Sequence, residues 1–231
     1  MNVDVWSDIV CPFCFIGKRR FENALNRFEH KQAVSLTFKS FQLDPNAKKN
    51  SGESMHELLA SKYNMSFEQA RSTTDNVAAQ AKEVGLDYDF DNMIPTNTED
   101  AHRLSHYAKQ EGKMDKVMER IMYAFFTEGK DVSDHDTLEE IAIDAGLDKE
   151  AVKHVLKTDQ YGEDVRADQA EGAKIGVQGV PFFVFNGKYA VSGAQPEDAF
   201  LDVLEKVWEE EKPVQMMNSQ GENCNDGSCS I

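Results

Sequence analysis

Two cysteines lie two residues apart near the amino terminus, where a strand pattern changes into a helix pattern. Residues 3–6 alternate between apolar and polar side chains and predict a short strand, and Cys11 and Cys14 follow soon after it. Pro12 has no backbone N–H to donate, so it fits the first helical turn and places Cys11 at or just before the helix N-terminus. The free N–H groups and the positive end of the helix dipole favour a thiolate over a thiol there.

A nucleophilic thiolate with a second thiol beside it is the minimum that thiol–disulfide exchange requires. Because Cys11 lies at the helix start, we predict that it is exposed and attacks the substrate. Cys14 lies inside the first turn, and we predict that it is more buried and resolves the mixed disulfide. Phe13 can offer a thiolate neither a hydrogen bond nor a charge, so we expect weaker oxidising power than at sites with histidine in its place.

A zinc site is the main alternative that the cysteines leave open. Cys11 and Cys14 would form one half of it, and Cys224 and Cys229 near the carboxyl terminus the other half. Zinc needs four ligands in tetrahedral geometry, and structural sites usually lie on turns or knuckles. Pro12 and a helix that begins at the first cysteine fit this poorly, so redox chemistry is favoured and no metal is expected.

The second cysteine pair carries a hypothesis of its own. Cys224 and Cys229 are separated by four residues and can close into a disulfide. We predict a redox relay in which this pair exchanges its disulfide with Cys11, and the length of chain after Glu211 is sufficient to reach it. An inert, loosely held pair is the alternative.

Composition excludes several classes of protein. The 231 residues carry a net charge of −16, which argues against a nucleic-acid partner because such a partner requires a basic face. An acidic chain has no electrostatic attraction to an anionic membrane, and no apolar run approaches the ~20 residues of a membrane span. The first residues lack the features of a secretory signal, so we expect a cytoplasmic protein, where a close cysteine pair is more often catalytic or metal-binding than structural.

The chain opens with a strand, a helix and a strand, over residues 2–6, 11–29 and 34–43. This is a βαβ unit, whose crossover is right-handed. About a hundred residues without a strand pattern follow, and they predict a helical subdomain. Helix starts within it are predicted at Ser54 with Glu57, Ser66 with Gln69, Thr98, Asp136 with Glu139, and Asp148.

The final third of the chain returns to an α/β pattern. A helix over about residues 159–174 precedes Val180 and Pro181, and residues 182–185 form an apolar run typical of a buried strand. Asn186 and Gly187 predict a hairpin turn into a return strand, and a last helix begins at Pro196. We therefore predict one α/β domain formed by residues 1–45 and 158–211, interrupted after its second strand by a helical domain of residues 46–157. Residues 212–231 are expected to be a flexible tail.

Three stretches of the chain share a pattern with a known family. They are residues 7–18, which contain the Cys-Pro-Phe-Cys motif, residues 97–104, and residues 179–185 continuing to 192–195. Together they resemble the DsbA-like branch of the thioredoxin superfamily, and most closely its FrnE-type subgroup, which is related to 2-hydroxychromene-2-carboxylate isomerases. The resemblance spans about residues 1–210. It implies a thioredoxin fold with an all-helical domain inserted after the second strand, and dithiol oxidoreductase chemistry, but it does not identify the substrate.

The same resemblance implies roles for residues outside the cysteine motif. It favours a cis peptide bond between Val180 and Pro181 beside the dithiol, which leaves the Val180 backbone free to pair with an extended peptide. In the related isomerases the helix after residue 97 lies by the active site, so Asn97, His102 and Arg103 are candidate substrate contacts. Packing or capping is the alternative for these three. A homodimer is expected by the same analogy.

Two functions follow from these observations. The leading hypothesis is a cytoplasmic thiol–disulfide oxidoreductase acting on protein or small-molecule thiols and disulfides, as a reductase or isomerase rather than a net oxidant because the cytosol is reducing. The second is a glutathione-dependent isomerase or transferase of a small aromatic or polyketide-like substrate, with glutathione as co-substrate and no other cofactor. Such enzymes need no resolving thiol and commonly have serine in place of the first cysteine, so the presence of both Cys11 and Cys14 favours redox chemistry.

Overall fold

The computed structural model describes residues 1–211, and it contains a four-stranded sheet. The strands are β1 (Asn2–Ser7), β2 (Ser35–Ser40), β3 (Phe182–Phe185) and β4 (Tyr189–Ser192). Their order is β2-β1-β3-β4, with β1 parallel to β2 and antiparallel to β3, and β3 antiparallel to β4. The sheet therefore combines strands from both ends of the chain.

Nine α-helices lie within residues 1–211. They are α1 (Pro12–Arg27), α2 (Met55–Tyr63), α3 (Phe67–Glu83), α4 (Glu99–Gln110), α5 (Met114–Phe126), α6 (His135–Asp144), α7 (Lys149–Lys157), α8 (Gly162–Ile175) and α9 (Glu197–Glu211). Helices α2 to α7 all follow β2 and precede α8 and β3. The predicted α/β fold, with a helical region inserted after the second strand, is thus confirmed. No helix among residues 1–211 is long and apolar enough to cross a membrane.

Alternating side chains of the sheet face two different helical layers. On one face, the rings of Phe183, Phe21 of α1 and Phe200 of α9 lie within 4.8–5.8 Å of one another. On the other face, Trp6 Nε1 donates a hydrogen bond of 2.8 Å to the Asp168 carbonyl of α8. Side chains of a strand alternate between faces, so β1 supplies both layers. Helix α1 is thereby fixed with its first residues beside the carboxyl end of β1.

Helix α4 is the central helix of the inserted region, and its residues from Asp100 to Ala108 are all buried. It packs against α5, α7 and α8, so it joins the inserted helices to the sheet. His102 and His106, one turn apart, both reach groups at the ends of strands. A second connection is made by ion pairs from Lys18 and Arg19 of α1 to Glu119 of α5, at 2.8 and 2.5 Å.

Most of the predicted helix starts are correct. Both capping boxes form, Ser54 with Glu57 and Ser66 with Gln69, and the Asp148 carboxylate accepts a hydrogen bond from the Ala151 N–H. These signals are local, because the capping residue and its partner lie three residues apart.

Two helix starts differ from the prediction. Asp134, and not Asp136, caps α6, because its carboxylate accepts a hydrogen bond of 2.9 Å from the Thr137 N–H and Asp136 already lies in the first turn. Thr98 stands at the start of α4 but makes no side-chain cap. The side chain of Asn97 accepts from the Glu99 N–H instead, at 2.9 Å.

Candidate dithiol site

Cys11 and Cys14 lie where β1 is followed by α1. Cys11 is the N-cap residue with φ −85° and ψ 113°, and Pro12 is the first helical residue, as predicted. The Cys11 N–H donates to the Asp8 carbonyl at 3.2 Å, and the Cys14 N–H donates to the Cys11 carbonyl at 3.0 Å. Both cysteines are free thiols in the described chain. The backbone around the motif thus fixes one thiol at the helix terminus and the other inside the first turn.

The expectation that Cys11 is exposed is wrong. Its exposed fraction is 4%, against 2% for Cys14, so exposure hardly separates the two thiols. Cys11 is buried because a segment distant in the sequence covers it. Its thiol donates a hydrogen bond of 3.6 Å to the Val180 carbonyl. Phe13, at 39%, is the exposed residue of the motif. The two thiols are distinguished by their surroundings rather than by their accessibility.

The segment of Val180 and Pro181 forms the wall opposite the cysteines, and the peptide bond between them is cis. Gly17 of α1 permits the close approach, because a Cβ at this position would lie 2.9 Å from Pro181 Cγ. The Gly193 N–H donates to the Pro181 carbonyl at 2.8 Å, and Arg20 donates to the Ala194 carbonyl at 2.6 Å. The stretch after β4 therefore supports this wall from behind.

Cys14 is held in an environment that opposes its ionisation. Burial, followed by the adjacent Cys11, raises the pKa of the Cys14 thiol well above its usual value. The Ser7 hydroxyl and the Asp8 backbone N–H act in the opposite direction and lower that pKa. Ser7 Oγ is buried and makes no hydrogen bond to any residue that the structure describes.

Asp8 connects the cysteine motif to two other parts of the chain. Its carboxylate accepts a hydrogen bond of 2.8 Å from the Leu43 N–H, and its Oδ1 lies 3.2 Å from His102 Nε2. Asp8 and His102 are each 1% exposed. His102, a candidate substrate contact, is therefore buried against Asp8. No sequence pattern assigns a role to Asp8, although it precedes Cys11 by only three residues.

Tyr88 is a second site residue that no sequence pattern indicates. Its hydroxyl donates a hydrogen bond of 2.8 Å to the Pro12 carbonyl, and its ring stacks on Phe126 with a centroid distance of 4.5 Å. Burial and the two nearby sulfurs raise the pKa of the Tyr88 phenol, so it remains protonated and keeps donating. Tyr88 belongs to an irregular connector between helices, where no periodic pattern marks a residue as important.

Asn97 and Arg103 are engaged within the protein. The Asn97 amide donates to the Pro45 and Ala47 carbonyls at 3.2 and 3.0 Å. The Arg103 guanidinium is 4% exposed and donates to the Val155 and Thr158 carbonyls at 2.5 and 2.6 Å, and to Asp100. Substrate contact by Asn97 or Arg103 stays a prediction that requires them to leave these partners.

The remaining sequence predictions concern metals and the tail. No group of three or more His, Cys, Asp or Glu side chains in residues 1–211 is arranged to hold a metal ion. Cys224 and Cys229 lie outside the described residues, so the relay and the four-cysteine zinc site both stay predictions.

Comparisons with known proteins agree with this geometry. The family model described as a DSBA-like thioredoxin domain matches residues 2–205. The crystal structure of the probable DsbA oxidoreductase SCO1869 from Streptomyces coelicolor is 39% identical, with a TM-score of 0.88 and 100% of each chain covered.

Two more distant structures share the fold. One is a 2-hydroxychromene-2-carboxylate isomerase, which is 15% identical with a TM-score of 0.63 and covers 91% of this chain and 95% of its own. The other is the cytosolic disulfide reductase DsbM from Pseudomonas aeruginosa, solved with glutathione, which is also 15% identical with a TM-score of 0.63 and covers 90% of this chain and 100% of its own. The resemblance inferred from the three sequence stretches is therefore confirmed.

Proposed function

This chain belongs to the DSBA-like thioredoxin domain family and is in general terms a thiol–disulfide oxidoreductase, and we propose that it works as a cytoplasmic disulfide reductase or isomerase. The observation that carries the proposal is the placement of two free thiols at the N-terminus of α1, with Cys11 facing the Val180 carbonyl. The direction follows from a reducing compartment, and a structural relative is named a cytosolic disulfide reductase.

The reaction begins with attack by Cys11 on a disulfide of the substrate. The free N–H groups at the start of α1 and the dipole of this 16-residue helix stabilise the Cys11 thiolate. A bond forms between Cys11 Sγ and one substrate sulfur, and the other substrate sulfur leaves as a thiolate. The product is a mixed disulfide between Cys11 and the substrate, and the oxidation of Cys11 and Cys14 to a disulfide is not yet complete.

Cys14 then completes the electron transfer. Its thiolate attacks Cys11 Sγ, the bond to the substrate breaks, and the second substrate sulfur leaves as a thiol after taking up a proton. The substrate disulfide has gained two electrons and the two cysteines have lost them. A thiol such as glutathione, acting as co-substrate, returns the Cys11–Cys14 disulfide to the dithiol. An isomerase cycle stops earlier, when a substrate thiol attacks the mixed disulfide and releases Cys11.

Turnover of three proteins tests the proposal. Wild type, Cys11→Ser and Cys14→Ser are compared in the reduction of insulin disulfides with glutathione as reductant. We expect Cys11→Ser to lose essentially all activity, because no attacking thiolate remains, and Cys14→Ser to lose most of it. Full activity in Cys11→Ser would overturn the proposal.

A glutathione-dependent isomerase is the second candidate, and the fold shared with a 2-hydroxychromene-2-carboxylate isomerase favours including it. In that chemistry the thiol of bound glutathione reacts and Cys14 has no part. Cys14→Ser separates this glutathione-dependent isomerase from the disulfide reductase, because only the reductase cycle uses the resolving thiol. Loss of turnover in the variant favours the reductase, and turnover equal to that of wild type favours the glutathione-dependent isomerase.

We propose that the tail pair, Cys224 and Cys229, exchanges its disulfide with Cys11, so that the dithiol passes electrons to the tail. Replacing Cys224 and Cys229 by serine is expected to slow turnover of disulfide substrates by a factor of a few, while the Cys11–Cys14 exchange with glutathione is retained. Rates measured with one large and one small disulfide check this. Unchanged turnover of both substrates would exclude the relay.

A homodimer is proposed on the resemblance alone, and light scattering of the purified protein tests it.

A further inference from the structure

Asp8 contacts Cys11 through its backbone and affects the ionisation of Cys14. Its carbonyl accepts the Cys11 N–H at 3.2 Å, and its backbone N–H lowers the pKa of the Cys14 thiol. The preceding residue, Ser7, has a buried hydroxyl with no hydrogen-bond partner among the described residues, and this hydroxyl also lowers the pKa of the Cys14 thiol. The position of this two-residue segment therefore decides how Cys14 is solvated when it carries a negative charge, because a sulfur that is 2% exposed has little water around it.

The Asp8 side chain is held from two directions. Leu43, just beyond β2, donates its N–H to one carboxylate oxygen at 2.8 Å. His102 of α4 lies 3.2 Å from the other oxygen, and because a carboxylate only accepts, the imidazole donates its Nε2–H. With both residues at 1% exposure, the contact is made away from water. His102 comes from the inserted helical region, so this buried pair, like the hydrogen bond from Tyr88 to the Pro12 carbonyl, connects that region to the cysteine motif.

The next histidine on α4 provides a natural comparison. His106 Nε2 lies 3.1 Å from Asp168 Oδ2 and 3.1 Å from Ser40 Oγ. Because both contacts use the same ring nitrogen, this cluster cannot work as a Ser-His-Asp relay, which needs two. His102 and His106 thus make similar buried contacts to a carboxylate from neighbouring turns of one helix. Of these two histidines, only His102 contacts Asp8.

We propose that His102 is a positioning residue for the resolving step: through the Asp8 carboxylate it fixes the Ser7–Asp8 segment against Cys14, so that the charge on the attacking Cys14 thiolate is stabilised when the mixed disulfide is broken. The inference rests on the proposed function. In this step a bond forms between Cys14 and Cys11, the bond from Cys11 to the substrate breaks, and the proton lost by Cys14 balances the proton gained by the released substrate thiol. His102 acts through Asp8 and does not meet the substrate.

The test measures the lifetime of the mixed disulfide. Reduced protein is mixed with glutathione disulfide, quenched with acid at intervals, and analysed by mass spectrometry for the glutathione adduct on Cys11. His102→Asn is compared with the matched variant His106→Asn. We expect His102→Asn to slow resolution about tenfold, which is the scale of one hydrogen bond to a charged group. His106→Asn is expected to lower Tm as much as His102→Asn does. It should keep the rate of resolution within about twofold of wild type, because His106 does not contact Asp8.

Two further variants protect the comparison from a failure to fold. Asp8→Asn keeps an oxygen that can accept from the Leu43 N–H, but it removes the negative charge that strengthens the hydrogen bond from His102. We expect the same slow resolution of the mixed disulfide. Ser40→Ala weakens the His106 cluster and is the alternative control. Resolution at the wild-type rate in His102→Asn or Asp8→Asn overturns the inference, as does equal slowing in His106→Asn. If wild type forms no adduct on Cys11, the proposed function itself fails, which is a different result.

Discussion

Gly17 lies where α1 packs closely against Pro181. A methyl group at this position would meet Pro181 Cγ at 2.9 Å, and the proline ring cannot turn away as a flexible side chain would. In an exposed helix interior, alanine is more stable than glycine by about 1 kcal/mol. Gly17 is buried, so close packing decides the outcome instead.

Gly17→Ala is therefore expected to lower the free energy of unfolding by about 1–3 kcal/mol, the scale of an overpacked core, although the helix propensity improves. Urea unfolding of the variant and of wild type measures the change. The reactivity of Cys11 toward a small disulfide should change as well, since the Val180 carbonyl would be displaced. A variant that is as stable as wild type, or more stable, would show that the segment of Val180 and Pro181 shifts at no cost in free energy.

The two cysteines show why exposure is a poor guide to roles in this site. Cys11 and Cys14 are almost equally buried, but Cys11 lies at the N-cap beside the free N–H groups of α1, and Cys14 lies in an environment that raises its pKa. The difference in charge stabilisation, rather than the difference in accessibility, makes Cys11 the attacking group in the proposed reaction.

At the scale of elements, α4 organises the contacts between the inserted helices and the rest of the protein. Its middle carries His102 and His106, which reach Asp8 and the end of β2. Its first turn carries Asp100, which accepts hydrogen bonds from Lys49, Arg103 and His135 at 2.6, 2.6 and 2.8 Å. Lys49 follows β2 and His135 begins α6. One carboxylate therefore connects three segments.

Asp100 gives this helix a predicted pH dependence. Burial alone would raise the pKa of Asp100, but the hydrogen bonds from Arg103, Lys49 and His135 lower it to about 2. Because the folded-state pKa lies below the usual 3.8, the carboxylate stabilises the fold above about pH 4, and that stabilisation is lost as the pH falls toward 2. The difference corresponds to about 2 kcal/mol.

Asp100→Asn is expected to reduce the free energy of unfolding by about 2 kcal/mol at pH 7, and the difference from wild type should shrink as the pH falls from 4 toward 2. Urea unfolding at several pH values measures it. Asp198→Asn is the control, since Asp198 is 81% exposed and its ion pair with Arg27 should contribute less than about 1 kcal/mol. An Asp100→Asn effect that is constant with pH would refute the account of this residue.

At the scale of the whole molecule, the features predicted from the sequence are those determined by neighbouring residues. The start of α1 at Pro12, the capping boxes of α2 and α3, and the strand–helix–strand order depend on spacings of a few residues. The burial of Cys11 could not be predicted in this way, because it results from Val180, which lies 169 residues away. The pair of Asp8 and His102 spans 94 residues, and no local pattern indicates it.

The arrangement of the molecule explains why these distant contacts meet at the dithiol. The sheet order β2-β1-β3-β4 puts the strand that leads to the cysteines in the centre, so α1, the Val180 segment and α4 can all reach its carboxyl end. The chemistry of thiol–disulfide exchange is in the motif itself. The surroundings that bury Cys11 and hold Cys14 come from the rest of the fold.

Covalent trapping tests most directly whether Cys11 attacks and Cys14 resolves. Cys14→Ser, in a background with Cys224 and Cys229 also replaced by serine, is incubated with a protein disulfide substrate, and the products are mapped by mass spectrometry. We predict a stable mixed disulfide on Cys11 that accumulates in this variant and is resolved quickly when Cys14 is present. No adduct on Cys11, or an adduct that is released equally fast without Cys14, would contradict this mechanism.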